Sequence, residues 1–171
     1  MKNFFAGFLF GAILLVLGSL VYLRLGLADV RADAAMPGWA VRLFSAGIHA
    51  SVRRAAPNVP SPLPQTDATI IAGARMYLDD CVGCHGEPGK PPSDFGVTFN
   101  PPAPQFLRVG TQYTQAQAFY VAKHGIRRSG MTAQADSYND LKIWALVAFI
   151  TNMPNLPPAV VTAIQPKQAN P

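Results

Sequence analysis

The most continuous apolar segment of the chain lies near its N-terminus. Residues Phe4 to Leu23 are twenty residues without a charged side chain. As a helix they extend about 30 Å, which matches the hydrocarbon core of a membrane. Tyr22 and Arg24 at the end of this run are typical of an interfacial anchor. The pattern predicts a single transmembrane helix within residues 1–25.

A cleaved secretory signal is the alternative for the same segment. The sequence Ala32-Asp33-Ala34 could serve as a cleavage site, but the apolar run is longer than a usual signal core and the site lies well beyond its end. We therefore expect an uncleaved anchor. In both interpretations the rest of the chain is exported across the membrane.

Residues 37–55 show a second, shorter amphipathic pattern. The apolar positions at helical spacing are Val41, Phe44, Ile48 and Val52. Three arginines accompany them: Arg42, Arg53 and Arg54. This pattern predicts a short amphipathic helix. It lies either at the membrane surface, with Trp39 at headgroup level, or against another part of the protein or a partner subunit.

Three further helices are predicted in the second half of the chain. In the first, Thr66 or Asp67 caps a helix that runs to about Asp80. Gly73 and Tyr77 lie on one face of it, where a small residue allows another helix to approach closely. The second spans residues 114–124, with a capping box that begins at Thr114 and Gly125 as its stop.

The third of these helices is predicted over residues 137–152. It begins with a second capping box, Ser137-Tyr138-Asn139-Asp140, and it ends before Pro154. Its apolar stripe consists of Leu141, Trp144 and Ala148, which we assign to core packing. Trp144 is expected to pack on the first of the three helices and to carry no chemistry.

Proline clusters divide the remaining chain. Residues 57–64 predict a stiff, extended tether, and residues 86–110 form a long Pro-rich loop without predicted secondary structure. The chain is therefore predicted to be all-α. Its predicted parts are a transmembrane anchor (1–25), an amphipathic segment and linker (26–65), a helical domain (66–156) and a Pro-rich tail (157–171).

Composition and charge agree with a membrane location. Half of the 171 residues are hydrophobic and 13% are charged, which is apolar for a soluble protein. Six lysines and arginines stand against two acidic residues up to Gln65, whereas the rest of the chain has eight against seven. The basic excess beside the apolar segment suits anionic lipids. Because the remainder has no basic stripe, we do not expect nucleic-acid binding.

The candidate chemistry lies in the segment Cys81-Val82-Gly83-Cys84-His85. A disulfide between two cysteines so close together would stabilise the fold very little. C-x-x-C-H is instead the attachment signature of a c-type haem. Two thiols at this spacing add to the two vinyl groups of one haem, and the adjacent histidine is placed under the iron. A zinc site needs about four ligands, and a thioredoxin-like dithiol expects a βαβ context. Neither condition is met.

Residues 66–154 resemble a class I, mono-haem cytochrome c domain of the membrane-anchored bacterial type. Three separated pieces carry the resemblance in order: Gly73-Ala74 with Tyr77 and Cys81 to Gly86, then His124-Gly125-Ile126 with Gly130-Met131, then Ile143 to Ile150. The resemblance implies an all-α fold of three main helices around one covalent haem c. It further implies His/Met ligation and single-electron transfer.

The residues that surround such a haem remain to be chosen from the sequence. We assign His85 as the proximal ligand and Met131, in a loop between two helices, as the distal one. His124 is the rival, because bis-His ligation exists, and Met153 is more typical of packing. In the family a proline carbonyl orients the proximal histidine, and Pro101, Pro102 and Pro104 are the candidates. Contacts to haem propionates or to a docking partner are considered for Arg108, Tyr113, Arg127 and Arg128.

The resemblance favours an electron-transfer protein over a haem enzyme or a gas sensor. Both alternatives need an open iron position, and an enzyme would have only His124 as a distal acid–base group. The expected partners are a redox donor and acceptor, within a respiratory chain or a larger membrane complex. The positive-inside rule, applied to Arg24, Arg31 and Arg42, would keep the domain in the cytoplasm. Covalent haem attachment is completed outside the inner membrane in this family, so we expect the domain to face the periplasm.

Overall fold

The computed structural model of the protein describes residues 2–31, 33–106 and 110–165. These residues form helices and turns, and no strand occurs among them, which confirms the all-α prediction. The helices are α1 (Lys2–Arg24), α2 (Gly38–Ala55), α3 (Asp67–Asp80), α4 (Val82–His85), α5 (Gln115–His124), α6 (Asp140–Asn152) and α7 (Pro158–Ile164). Short 3₁₀ turns lie at Gly96–Thr98 and Met153–Asn155. The chain divides into two compact units, residues 1–35 and 36–171.

The first unit contains α1, which coincides with the predicted transmembrane segment. This helix is 23 residues long, its mean hydropathy reaches 2.5, and none of the residues in its most apolar window is buried within the protein. Its length and composition are sufficient to cross a membrane. An N-terminal apolar helix of this kind is consistent with a membrane anchor.

The second unit is organised by the crossing of α3 and α6. Gly73 lies so close to α6 that a Cβ atom added to it would stand 1.9 Å from the carbonyl oxygen of Ala145. Tyr77, one turn further along α3, is fully buried and its ring meets that of Phe149 at 5.2 Å between centroids. The small residue and the aromatic residue on one face of α3 therefore allow the close helix approach that the sequence predicts. Thr66 rather than Asp67 caps α3, and its side chain accepts a hydrogen bond from the Thr69 amide.

Helix α5 packs on the other side of α6. Phe119 and Trp144 stack face to face, with 4.3 Å between their centroids and 10° between their planes. Trp144 is thus buried against α5, within the hydrophobic core that α3 also lines. The capping box at Thr114 and Gln117 forms as predicted, and Gly125 ends the helix with φ +65°.

The start and the buried surface of α6 differ from the sequence prediction. The helix begins at Asp140, and the side chain of Asn139 caps it by accepting a hydrogen bond from the Lys142 amide at 3.0 Å. Ser137 instead donates its amide to the Gln134 carbonyl oxygen in the preceding turn. Leu141, assigned to the apolar stripe, is 55% exposed. From Ile143 to Ile150 every residue is buried, so α6 is a central core helix and not an amphipathic one.

The segment predicted as a Pro-rich tail contributes to the core. Residues 158–164 form α7, which packs on α3, and Val160 is fully buried. Pro157 and Pro158 start this helix, where the missing amide hydrogens of proline cost no hydrogen bond. Residues 166–171 lie outside the described residues.

Helix α2 packs on α5 through one face. Val52 and Ala40 are buried, and the ring of His49 lies 5.2 Å from that of Tyr113. Phe44, one of the apolar positions at helical spacing in the sequence, is 60% exposed. The alternative in which this helix packs against another part of the protein therefore holds for the face that carries Val52 and Ala40.

The α3–α6 crossing generates a stability prediction. We expect Gly73→Ala to lower the free energy of unfolding by about 1–3 kcal/mol or more, because the added methyl group forces the two helices apart. Gly47→Ala is the matched control, since nothing lies within 4 Å of a Cβ atom there. That variant should be neutral or stabilise α2 by up to about 1 kcal/mol. Denaturant unfolding of the full-length protein in detergent, followed by circular dichroism, measures both; equal effects would contradict the close crossing.

Candidate functional site

The C-x-x-C-H segment forms a tight turn at the end of α3. Cys81 is the last residue bonded into α3, through its amide to the Tyr77 carbonyl oxygen at 2.9 Å, and α4 follows directly. The His85 amide then donates to the Cys81 carbonyl oxygen at 2.9 Å. Helical backbone places Cys81 and Cys84, three residues apart, on one face of this turn. Both thiols are free.

Tyr77 connects the core helix to the end of this turn. Its hydroxyl donates a hydrogen bond to the Gly86 carbonyl oxygen at 2.6 Å, while its ring is buried. Gly86 itself has φ +83°, a conformation that side chains other than glycine rarely adopt. Burial raises the pKa of the Tyr77 hydroxyl well above its usual range, so this group is a hydrogen-bond donor throughout the neutral pH range.

The imidazole of His85 is oriented by the Pro-rich loop. Its Nδ1 atom lies 2.8 Å from the carbonyl oxygen of Pro104, and its ring stacks on Phe106 with 4.6 Å between centroids. A carbonyl oxygen only accepts hydrogen bonds, so Nδ1 carries the hydrogen and Nε2 keeps a free lone pair. Of the three prolines considered, the structure brings Pro104 to the histidine.

Burial lowers the pKa of His85, and the hydrogen bond to Pro104 opposes this shift in part. The imidazole is therefore neutral near pH 7, which is the form that binds a metal. Metal-binding histidines usually donate their other ring N–H to a carboxylate, a backbone carbonyl or water, and Pro104 provides such a carbonyl here. The side chain is thus prepared to act as an iron ligand through Nε2.

Gln105 fixes the Pro-rich loop to the C-x-x-C-H turn. Its side-chain nitrogen donates to the Cys84 carbonyl oxygen at 2.9 Å, and its side-chain oxygen accepts from the Ser93 amide at 2.9 Å. Ser93 in turn donates its hydroxyl to the Gly83 carbonyl oxygen. Gly96 packs so closely that a Cβ atom would stand 1.8 Å from the Cys84 carbonyl oxygen. Sequence reasoning missed these residues, because nothing in the Pro-rich loop indicates which polar side chain reaches the motif.

The environment of Cys81 differs from that of a reactive dithiol. Burial, with smaller contributions from Asp80 and Cys84, raises the pKa of the Cys81 thiol to about 12. Dithiol oxidoreductases need a lowered cysteine pKa, since the thiolate is the nucleophile. The electrostatics thus argue against a thioredoxin-like function for this pair.

The loop that carries Met131 is closed by hydrogen bonds between its own residues. The Ile126 amide donates to the Met131 carbonyl oxygen at 3.0 Å, and the Met131 amide donates to the Ser129 hydroxyl at 3.1 Å. Gly130 packs on the Phe99 ring, where a Cβ atom would stand 2.6 Å from an edge carbon. Because Phe99 belongs to the Pro-rich loop, the loop that holds His85 and the loop that holds Met131 meet here.

The other candidates of the sequence analysis lie as follows. His124 is exposed, and its ring rests 4.7 Å from that of Tyr120 on its own helix. Met153 is 2% exposed within the hydrophobic core, so it packs as expected. Arg127 and Arg128 are exposed. Arg108 lies outside the described residues.

Comparison with known proteins agrees with this arrangement. Residues 68–150 match the family described as cytochrome C oxidase, cbb3-type, subunit III. The match begins in α3, ends in α6, and includes the C-x-x-C-H turn, the Pro-rich loop and the Met131 loop. Residues 68–150 form a mono-haem c-type cytochrome domain. No solved structure is significantly similar to the chain.

The cytochrome domain binds haem c covalently, and its activity is haem-based electron transfer. The described residues fit this cofactor. Two free thiols stand three residues apart on one turn, and a neutral imidazole follows them with its Nε2 lone pair free. These are the groups that covalent attachment and axial ligation require.

The Gln105 contacts generate a second prediction. We expect Gln105→Ala to lower the free energy of unfolding of the haem-loaded protein by about 1–3 kcal/mol, because it leaves the Cys84 carbonyl oxygen and the Ser93 amide without these partners. Gln165→Ala removes the same side chain from an exposed position just after α7 and should change stability by less than about 0.5 kcal/mol. Denaturant unfolding followed at the haem absorption band compares the two. Similar midpoints would show that Gln105 does not hold the loop.

Proposed function

We propose that the chain is a membrane-anchored electron carrier whose haem is attached through Cys81 and Cys84. His85 is the proximal ligand and Met131 the distal ligand. The observation that carries this proposal is the hydrogen bond of 2.8 Å from His85 Nδ1 to the Pro104 carbonyl oxygen. It fixes both the tautomer and the ring plane of a histidine that directly follows the two thiols.

The residues around His85 keep this ligand in one geometry. By accepting the hydrogen bond from Nδ1–H, the Pro104 carbonyl oxygen increases the electron density of the imidazole ring. This raises the basicity of Nε2 and keeps the hydrogen on the opposite nitrogen. Phe106 restrains the ring from one side, and Gln105 secures the loop that provides both neighbours. When bound, haem supplies a one-electron Fe(III)/Fe(II) couple at this position.

The position of its loop supports Met131 as the distal ligand. The loop begins immediately after α5 and touches the Pro-rich loop at Phe99, so it approaches the loop that holds His85. His124 rests on Tyr120 and Met153 is packed in the core, which makes both poorer candidates. A thioether ligand stabilises Fe(II) and raises the reduction potential. An occupied sixth position favours electron transfer over catalysis or gas sensing.

The proposed location is the inner membrane, with one span and the cytochrome domain in the periplasm. α1 is long and apolar enough to span, and covalent haem attachment in this family is completed on the outer side. This second argument outweighs Arg24 and Arg31, which favour the opposite orientation. The matched family is described as an oxidase subunit, so we propose redox proteins as partners, within or beside a membrane-bound respiratory complex.

The domain arrangement follows from the same proposal. Residues 1–25 anchor the chain, residues 26–65 connect the anchor to the haem domain, and the haem domain begins at residue 66. We extend that domain from residue 156 to the end of α7, because Val160 is buried in its core.

The distal ligand is the sharpest test of this proposal. In the oxidised protein, Met131→Ala should abolish the weak red charge-transfer band of the iron–thioether bond. It should also lower the reduction potential by roughly 100 mV or more, because a ligand that stabilises Fe(II) is lost. Optical spectra and a redox titration of the purified, haem-loaded protein measure both changes.

Two variants serve as controls for the Met131 experiment. His124→Ala and Met153→Ala should keep the band and the potential, although Met153→Ala should also destabilise the core. If one of them loses the band while Met131→Ala keeps it, the ligand assignment is wrong. Rapid, stoichiometric binding of carbon monoxide or cyanide to the unmodified protein would instead show an open iron position, and the carrier function would then give way to an enzyme or a sensor.

A further inference from the structure

Helix α2 has a second apolar face that points away from α5. Trp39 is 65% exposed and Leu43 is 62% exposed, and both lie opposite the buried Val52. Ala46 and Ala50 are also exposed. The four residues recur at steps of four, three and four, so they form one stripe along the helix. We call this stripe the outer face of α2.

Positive charge borders the outer face on both sides. At 100° per residue, Arg42 and Arg53 fall on one edge of the stripe and Arg54 on the other. All three arginines are exposed, and none forms an ion pair with another described residue. No acidic residue occurs between Gly38 and Ala55. An apolar stripe with tryptophan, flanked by arginines alone, is typical of helices that bind in the plane of an anionic membrane surface.

The position of α2 in the chain favours lipid as the occupant of this face. Thirteen residues separate Arg24, the end of α1, from Gly38. Even fully extended they reach no more than about 47 Å, so an anchored α1 limits how far α2 can lie from the membrane surface. The connecting segment is itself apolar and exposed at Leu25, Leu27 and Val30. The arginines beside the outer face complement the negative charge of anionic headgroups. The limited length of the connection keeps the membrane surface within reach of α2.

We propose that the outer face of α2 binds the anionic lipid surface and sets the orientation of the cytochrome domain on the membrane. The opposite face of α2 packs on α5 and places His49 against Tyr113. Because α2 is packed on the domain, a lipid contact at Trp39 and Leu43 gives the whole cytochrome domain a preferred orientation on the membrane. Without this contact the domain would be held only by a flexible connection and could rotate freely. This inference rests on the proposed anchoring by α1.

Photo-crosslinking of the full-length, haem-loaded protein tests this contact. Leu43 is replaced by p-benzoyl-phenylalanine, and the protein is reconstituted in vesicles of phosphatidylcholine and phosphatidylglycerol and illuminated. Mass spectrometry should find lipid adducts on the peptide that contains position 43. Replacing Arg42, Arg53 and Arg54 together by glutamine should reduce these adducts at least about fivefold, because each arginine contributes to the attraction of anionic lipid.

Two other leucines provide matched probe positions. The same probe at Leu14, within α1, should give abundant lipid adducts. At Leu141, which is 55% exposed on the cytochrome domain, it should give none above background. No adduct at Leu14 would show that α1 is not in the membrane and would overturn the anchoring itself.

The remaining outcomes concern α2 alone. Adducts at Leu14 without adducts at Leu43 would leave the anchor intact and overturn the lipid contact. Equal adduct yields at Leu43 and Leu141 would overturn the preferred orientation. If the Leu43 probe in native membranes crosslinks to a protein and not to lipid, the outer face belongs to a partner subunit and the lipid proposal is wrong.

Discussion

The hydrogen bond between His85 and the Pro104 carbonyl oxygen is the constraint on which the rest of the site depends. A histidine next to two cysteines can rotate and can carry its hydrogen on either nitrogen. At 2.8 Å the carbonyl restricts both freedoms. The restriction is effective only if the Pro-rich loop is itself fixed, and Gln105 fixes it by bonding to backbone atoms of Cys84 and Ser93. The loop and the C-x-x-C-H turn therefore act as one unit, supported from the core by Tyr77.

Features that local chemistry determines could be predicted from the sequence. Thr114 and Gln117 form their capping box because its two hydrogen bonds lie within four residues. Gly73 marks the α3–α6 crossing because only a missing side chain permits such an approach. Both features are visible in a short stretch of sequence, and both appear in the structure where they were expected.

Features that depend on distant contacts could not be predicted in this way. Two capping signals precede α6: the side chain of Asn139 caps the helix, while Ser137 lies in the preceding turn with its amide bonded to the Gln134 carbonyl oxygen. Gln105 reaches partners 12 and 21 residues away, which no local pattern reveals. Val160 joins the core through α7 although prolines surround it. The two-sided character of α2 likewise emerges only when α5 covers one of its faces.

The account as a whole requires that the two thiols beside this oriented histidine carry the haem. The most direct measurement is mass spectrometry of the denatured, proteolysed protein after maturation by a cytochrome c assembly system. We predict one haem, bound by two thioether bonds, on the peptide that contains Cys81 and Cys84, and a single remaining thioether bond after Cys81→Ser or Cys84→Ser. Recovery of that peptide with two free thiols and no added haem mass would contradict the account.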